Sequence, residues 1–289
     1  MVPKAVRVFL EQQGWGAITR AEPVTGGCIN AGCVLHLAHG PRLFLKHNAH
    51  APADMFMREA EGLAALARSD GPRVPRPLLA GGQFLLLEYL APAPLGPRAW
   101  EALGRQLAAL HAPAAPMFGF PHANYLGSTP QPNNPVADGF EFFAEQRLLF
   151  QARLARERGR LPAHGLRQAE RLAIRLPQLV PAQPASLIHG DLWSGNVIAG
   201  PDGALCLIDP AAHHGWAEAE LAMTGLFGGF PAAFYGAYAE AAQALGRPLA
   251  AGWRERFPVY NLYHLLNHLN LFGPAYLGEV SALLQHYGA

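Results

Sequence analysis

The sequence predicts an α+β chain of two lobes, a small strand-rich one of about ninety residues and then a larger, mainly helical one. Three observations predict it. Residues 23–48 alternate polar and apolar side chains around turn residues, which is the period of strands. From Ala99 onward the apolar positions recur mostly at helical spacing. Between the two lies "APAPLGP" at 91–97, a Pro-rich break suited to a joint. The lobes are therefore expected at 1–90 and 91–289, with a hinge at about 88–92.

Taken in order, "MVPKAVRVFLEQQGWG" lacks the apolar core of a signal peptide and reads as a short amphipathic helix. "PVTGGCINAGCVLHLAHGPRLFLKH" reads as strands, with Gly26-Gly27 and His39-Gly40-Pro41 as turns. "DMFMREAEGLAALARS" has helical spacing, with Phe56, Leu63 and Leu66 on one side, and Pro72, Pro75 and Pro77 end it. "QFLLLEYL" reads as a buried strand. Residues 99–113 and 140–160 are expected to be helical, and so is most of the tail from Trp253 to His286. The stretch 118–139, "FGFPHANYLGSTPQPNNPVADG", reads as a loop long enough to suggest a function.

The bulk composition narrows the function classes. With 289 residues, 51% hydrophobic and 15% charged, the chain can bury a substantial core. A net charge of +1 without a basic block argues against nucleic acid or an anionic membrane as partner. No run approaches the roughly 18 apolar residues of a membrane span. Three cysteines, Cys28, Cys33 and Cys206, suit neither a disulfide framework nor a zinc site, so a reducing cytoplasm is the expected setting. Only Lys4 and Lys46 are lysines, all other basic residues being Arg. A compact ammonium, not a planar fork, is therefore called for at position 46.

The chemistry concentrates in "LIHGDLWSGN" at 187–196. The following "NVIAGPDGALCLIDP" reads as two short strands around a "GPDG" turn. Asn196 begins the outgoing strand and Asp209 ends the returning one, so antiparallel pairing brings both near Asp191. Pro210 is expected to hold Asp209 in extended backbone. An amide oxygen and two carboxylates suit Mg²⁺, which takes one or two carboxylates and completes its shell with substrate phosphates. The Asp191-x-x-x-x-Asn196 spacing, with a later Asp, also matches the catalytic loop and metal ligands of kinase-type enzymes.

A site of that type needs three further parts from the first lobe. "TGGCINAG" supplies a glycine turn, so Gly26, Gly27 and Cys28 are expected to approach phosphates through their backbone. Lys46 supplies the strand ammonium for the α/β-phosphates of ATP. Its helix partner is expected to be Glu59, because Leu63 and Leu66 follow on the same face; Glu61 reads as solvated. The backbone at Glu88 and Leu90 would meet adenine. His213-His214 and the pair His264/His268 lack a third ligand at useful spacing and read as packing or surface residues. Glu218 and Glu220 read as acids favouring a helix N-terminus.

With these residues in hand, the chain resembles the fructosamine kinase (ketosamine-3-kinase) family, relatives of aminoglycoside phosphotransferases with a protein-kinase-like fold. "GGCINAG", "ADMFMREAEGL", "NYLGSTPQPN", "FFAEQRL", "HGDLWSGNV", "IDPAAHHGWAEAELAMTGLFGGF" and "FPVYNLYHLLNHLNLFG" carry the resemblance. It implies a small antiparallel-sheet lobe with one helix, a larger helical lobe, and ATP- and Mg²⁺-dependent phosphorylation of a ketoamine at its 3-hydroxyl. The acceptor would be a fructosamine, ribulosamine or erythrulosamine, free or on protein, and the unstable 3-phosphate would then free the amine. By motif match Asp191 would be the base, Asn196 and Asp209 the metal ligands, and Lys46 with Glu59 the ATP-binding pair. Trp193, two residues after the base, is expected to pack against the acceptor. Cys28 stands where some relatives carry a cysteine that links two subunits, so monomer and homodimer both remain open. "NPVADG" replaces the Trp and acidic residues that relatives often carry after "TPQPN", which leaves the acceptor preference open. A kinase for choline or an aminoglycoside would ask for an acidic pocket, and no acidic cluster adjoins the long loop. A silent nucleotide-binding scaffold would be expected to lack Asp191, Lys46 or Asp209, and all three are present.

Overall fold

The computed structural model describes residues 2–24 and 30–289. The N-terminal lobe contains α1 (Lys4–Gln12), β1 (Ile18–Val24), β2 (Ala31–Leu37), β3 (Leu43–His47), α2 (Met55–Leu66), β4 (Pro77–Gly81) and β5 (Phe84–Glu88). Its strands form one antiparallel sheet in the order β1-β2-β3-β5-β4. Two of them lie outside the expected segments. β1 starts at Ile18, before the alternating stretch, and is an edge strand exposed along nearly its whole length, so no apolar period announces it. β4 begins with Pro77, which an edge strand tolerates because its free side needs no donor.

The period of two decides what Lys46 faces. On β3, Leu43 and Leu45 point to a cluster with Val6 and Leu10 of α1, Leu35 and Leu86. Phe44 points the other way and packs with Phe56, Leu63 and Leu66 of α2 and Leu85 and Leu87 of β5. Lys46 shares that second face and thus looks toward α2. The fully buried Phe56, Leu63 and Leu66 fix the roll of α2, and each such side chain contributes about 1.5–3 kcal/mol by burial.

After β5 the chain runs extended into α3 (Ala99–His111). A short β6 (Ala114–Ala115) leads to the hairpin β7 (Asn124–Leu126) and β8 (Thr129–Gln131), inside the segment expected to be loop. The helices α4 (Gly139–Phe143), a π-helical stretch Ala144–Leu149, α5 (Phe150–Glu157) and α6 (Ala163–Leu179) follow. Next come β9 (Ala185–Ile188), the hairpin β10 (Val197–Ala199) and β11 (Leu205–Leu207), and β12 (His213–Gly215). The helices α7 (Ala217–Leu226), α8 (Ala232–Ala244), α9 (Phe257–Phe272) and α10 (Leu277–Tyr287) complete the lobe. α9 is buried almost all round, so it shows no polar stripe and forms the lobe's central post. Gly104 lets α3 and α8 touch, since a Cβ there would collide with the Phe234 carbonyl. No helix among the described residues is long and apolar enough to cross a membrane.

Candidate active site

β9 delivers His189-Gly190-Asp191 to the cleft, and the turn is held from below. Gly190 has φ +81, and a Cβ there would strike the Ala211 carbonyl, so only glycine fits. His189 is fully buried; its Nε2–H donates to the Ile208 carbonyl at 2.9 Å while Nδ1 accepts from the Asp191 N–H at 3.3 Å. Burial holds its pKa down, which agrees with this neutral tautomer. The His189 and Gly190 N–H groups donate to the two oxygens of Glu220 at 2.8 and 2.7 Å. Glu220 also meets His111 Nε2 at 3.1 Å, and His111 Nδ1 meets the Tyr238 hydroxyl at 2.9 Å. Burial alone would raise the Glu220 pKa, but its hydrogen bonds and the His111 and His189 rings outweigh burial and keep it below the usual range. Expected to favour a helix N-terminus, Glu220 instead clamps the turn that carries Asp191; nothing local in the sequence marks a partner 30 residues away.

At the cleft, Asn196 Nδ2 donates to the Asp191 backbone carbonyl at 2.7 Å and to Asp191 Oδ2 at 3.0 Å. With both amide hydrogens engaged, Oδ1 is the atom left to act as a ligand. The β10–β11 hairpin closes as expected, with Val197 opposite Leu207 and the Ile208 N–H on the Asn196 carbonyl at 3.0 Å. Burial, joined by the like charges of Asp209 and Glu220, pushes the Asp191 carboxyl up to about 7 against the Asn196 hydrogen bond, which lowers it.

Asp209 is close at hand but its backbone differs from the expectation. Its φ is +57, in the left-handed region, not extended. Pro210 restricts the preceding residue mainly by disfavouring the right-handed helical region, and Asp is among the few non-glycine residues that tolerate positive φ. The resulting turn aims the carboxylate across the cleft, where Oδ1 accepts from Lys46 Nζ at 2.9 Å. Lys46 Nζ also donates to Glu59 Oε1 at 2.7 Å. The Lys46 side chain is 8% exposed and that of Glu59 10%, whereas Asp209 remains 45% exposed. Burial alone would depress the Lys46 ammonium, but the two carboxylates outweigh it and hold its pKa above the ordinary lysine value. Glu61, the other helix acid, pairs instead with Arg58 at 2.8 Å and His122 at 3.2 Å.

Asp191, Asn196, Asp209, Lys46 and Glu59 thus meet at one cleft. Trp193 is half-buried and neither core nor free surface; its ring covers Gly195 and meets Phe227 edge-on at 5.8 Å, and Phe227 lies 4.8 Å from the His268 ring. Glu88 ends β5, its backbone N–H bound to the Arg76 carbonyl at 2.9 Å and its carboxylate to Arg73. Leu90 is buried, and among the described residues its N–H meets no backbone carbonyl. Gly26, Gly27 and Cys28 lie outside the described residues.

No group of three or more His, Cys, Asp or Glu side chains able to hold a metal occurs among the described residues. The cleft instead offers Asn196 Oδ1 and the open side of Asp209, two hard oxygens. That donor set fits Mg²⁺, which completes its shell with phosphates and water. His213 lies on β12, buried and neutral: Nδ1–H donates to the Ala211 carbonyl at 3.0 Å and Nε2 accepts from Arg147 Nε at 3.4 Å, while burial and the Arg147 charge hold its pKa well down. It is a support beneath the loop, the packing alternative of the two expected for it. Arg147 is itself enclosed with no carboxylate partner among the described residues, donating to the Pro132 carbonyl at 2.6 Å and Asn133 Oδ1 at 2.6 Å with the Phe142 ring 4.4 Å away.

Comparison with known proteins agrees with this architecture. The sequence matches the fructosamine kinase family over residues 1–288. A Synechocystis protein named a probable ketoamine kinase is 41% identical over 93% of this chain and 90% of its own. The rice chloroplastic protein-ribulosamine 3-kinase is 36% identical over 93% of this chain and 79% of its own. A crystal structure of a candidate fructosamine-3-kinase from Thermobifida fusca superimposes with a TM-score of 0.87 at 36% identity, covering 99% of both chains. The choline kinase LicA from Streptococcus pneumoniae, 15% identical with a TM-score of 0.64, shares the fold alone. A kinase-like fold, a small antiparallel-sheet lobe over a helical one, and a match along the whole chain lead to one conclusion: the chain is a kinase that belongs to the fructosamine kinase family.

Proposed function

We propose that the protein phosphorylates the 3-hydroxyl of a ketosamine with ATP, a step that leads to release of the glycated amine. The observation that carries this reading is the meeting of Lys46, Glu59 and Asp209 with Asp191 and Asn196 across one cleft. We divide the chain into lobes at about residues 88–92, so that adenine would lie against the backbone of Glu88 and Leu90. The Gly26-Gly27-Cys28 turn would cover the phosphates through its backbone N–H groups.

Lys46, held between two carboxylates, is pre-set to receive the α/β-phosphates without a rotamer search. Asn196 Oδ1 and Asp209 would hold Mg²⁺, whose charge, when bound, offsets that of the triphosphate. Asp191 orients the acceptor hydroxyl in line and takes its proton as the bond from O3 to the γ-phosphorus forms and the bond to ADP breaks. A carboxyl near pKa 7 is well matched to that exchange, since it can accept the proton and return it to water. The Trp193–Phe227–His268 wall supplies an aromatic face for the acceptor. Family membership and the name of the rice relative support a ketosamine as that acceptor.

The test is ADP release with lysine ketoamines of six-, five- and four-carbon sugars, with choline and an aminoglycoside beside them. Turnover with at least one ketoamine and a 3-phosphate product by phosphorus NMR is expected. Turnover confined to choline or the aminoglycoside overturns the reading.

A further inference from the structure

The Lys46 grip joins a carboxylate on α2 to one in the segment after β11, and these elements come from different lobes. Something must hold them at a fixed separation. The β7–β8 hairpin touches both. Along β7 the side chains alternate, so Asn124 and Leu126 point into the lobe while Tyr125 points the opposite way. Asn124 Nδ2 donates to the Ala212 carbonyl at 2.8 Å, and Gln131 Nε2 to the Ala211 carbonyl at 3.1 Å and Asn124 Oδ1 at 2.6 Å. Both amides are buried, so these bonds fasten the hairpin to the residues that follow Asp209-Pro210. On the other side, the Tyr125 hydroxyl donates to Asp54 Oδ1 at 2.7 Å.

Asp54 stands at the N-cap of α2, where an Asp side chain ordinarily accepts an N–H of its own first turn. It makes no such bond. Its carboxylate turns outward to Tyr125 and to Arg58 Nε at 3.0 Å. About two turns further along the helix, Gly62 brings α2 so close that a Cβ there would lie 3.2 Å from the Ala212 Cβ. Helix, hairpin and the segment after Asp209 therefore form one closed triangle.

We propose that Tyr125 and Asp54 are positioning residues, a clasp that seats α2 against the Asp209 segment so that Glu59 and Asp209 close together on Lys46. Its bearing on phosphoryl transfer rests on the function proposed above, but the grip on Lys46 can be measured without turnover. The chain has two lysines, the exposed Lys4 and the clasped Lys46, so Lys4 is a built-in reference.

The experiment is trace acetylation of the nucleotide-free protein with acetic anhydride, well below the melting temperature, with the Lys46/Lys4 labelling ratio read by mass spectrometry. In Tyr125→Phe and in Asp54→Ala the ratio is expected to rise about five- to tenfold, the effect of losing one ordinary hydrogen bond. The control Arg153→Ala, which breaks a surface pair with Glu145, is expected to leave the ratio unchanged. In turnover assays both clasp variants should raise KM for ATP several-fold with KM for the ketoamine unchanged. An unchanged labelling ratio in both clasp variants, or an equal rise in the control, overturns the proposal. Failure of every ketoamine as acceptor would refute the proposed function and still leave the labelling ratio readable.

Discussion

The two sides of the cleft handle charge in opposite ways. On the upper side Lys46 is enclosed, and its ammonium faces two carboxylates at 2.7 and 2.9 Å. On the lower side Asp191 faces no cation among the described residues; an amide hydrogen bond is all that favours its charge, against burial and two like charges. The upper side is electrostatically settled before any ligand arrives. The lower side keeps a proton affinity near neutrality, which suits the base role proposed for Asp191. One site thus combines a rigid anchor with a titrating partner, and the difference comes from who the neighbours are, since all three acids are carboxylates.

Removing the titrating partner is the sharpest way to break the comparison. Asp191→Asn should lower turnover by about 10²–10⁴, the usual weight of a general base, while nucleotide affinity measured by calorimetry is retained. It should also change stability in a pH-dependent manner. The folded-state pKa of Asp191 is raised from 3.8 to about 7, so the folded protein binds the extra proton between those values. Its contribution to stability therefore falls as pH rises through that window. Asp191→Asn should accordingly melt above the wild type at pH 8, with the gain shrinking toward pH 4.5. Equal differences at both pH values would contradict a raised Asp191 pKa.

Lys46→Met attacks the settled side. It strands Glu59 in a buried position and should cost about 3–5 kcal/mol in denaturant unfolding. Adding Glu59→Gln should recover much of that loss without restoring ATP turnover, because the neutral pair no longer needs a counter-charge. A single variant as stable as the wild type would show that the ion pair is not the buried grip described. The smallest effect is expected from Glu220→Gln, which keeps the shape beneath the loop but loses the charge that receives two N–H groups. A fall in kcat of about tenfold is expected, in line with exchanging a charge-assisted for a neutral acceptor, with KM for ATP little changed in initial-rate assays.

What was legible in the sequence had a local signature. Lys46 stood out as an isolated lysine on a strand, Glu59 lay on the apolar face of a helix, and Asn196 and Asp209 framed a turn that had to bring its ends together. The strand period, the helix period and hairpin closure were each readable within a dozen or so residues. The supports were not. Glu220, His111, Asn124, Gln131 and Arg147 act through buried polar contacts that reach partners up to 127 positions away, and polar burial leaves no period. The Asp209 backbone escaped for a different reason: the rule for residues before proline describes a preference, and three-dimensional closure onto Lys46 overrode it. The hairpin at 124–131 was hidden because each of its strands has only three residues.

The scarcity of lysine has a consequence for the protein's own chemistry with sugars. Reducing sugars condense with unprotonated amines, and the Lys46 amine is both enclosed and held in its protonated form. Lys4 is then the single lysine side chain that the surface presents to them. Arginine carries nearly all the remaining positive charge, so the chain keeps its solubility while offering glucose or ribose very little to attach to.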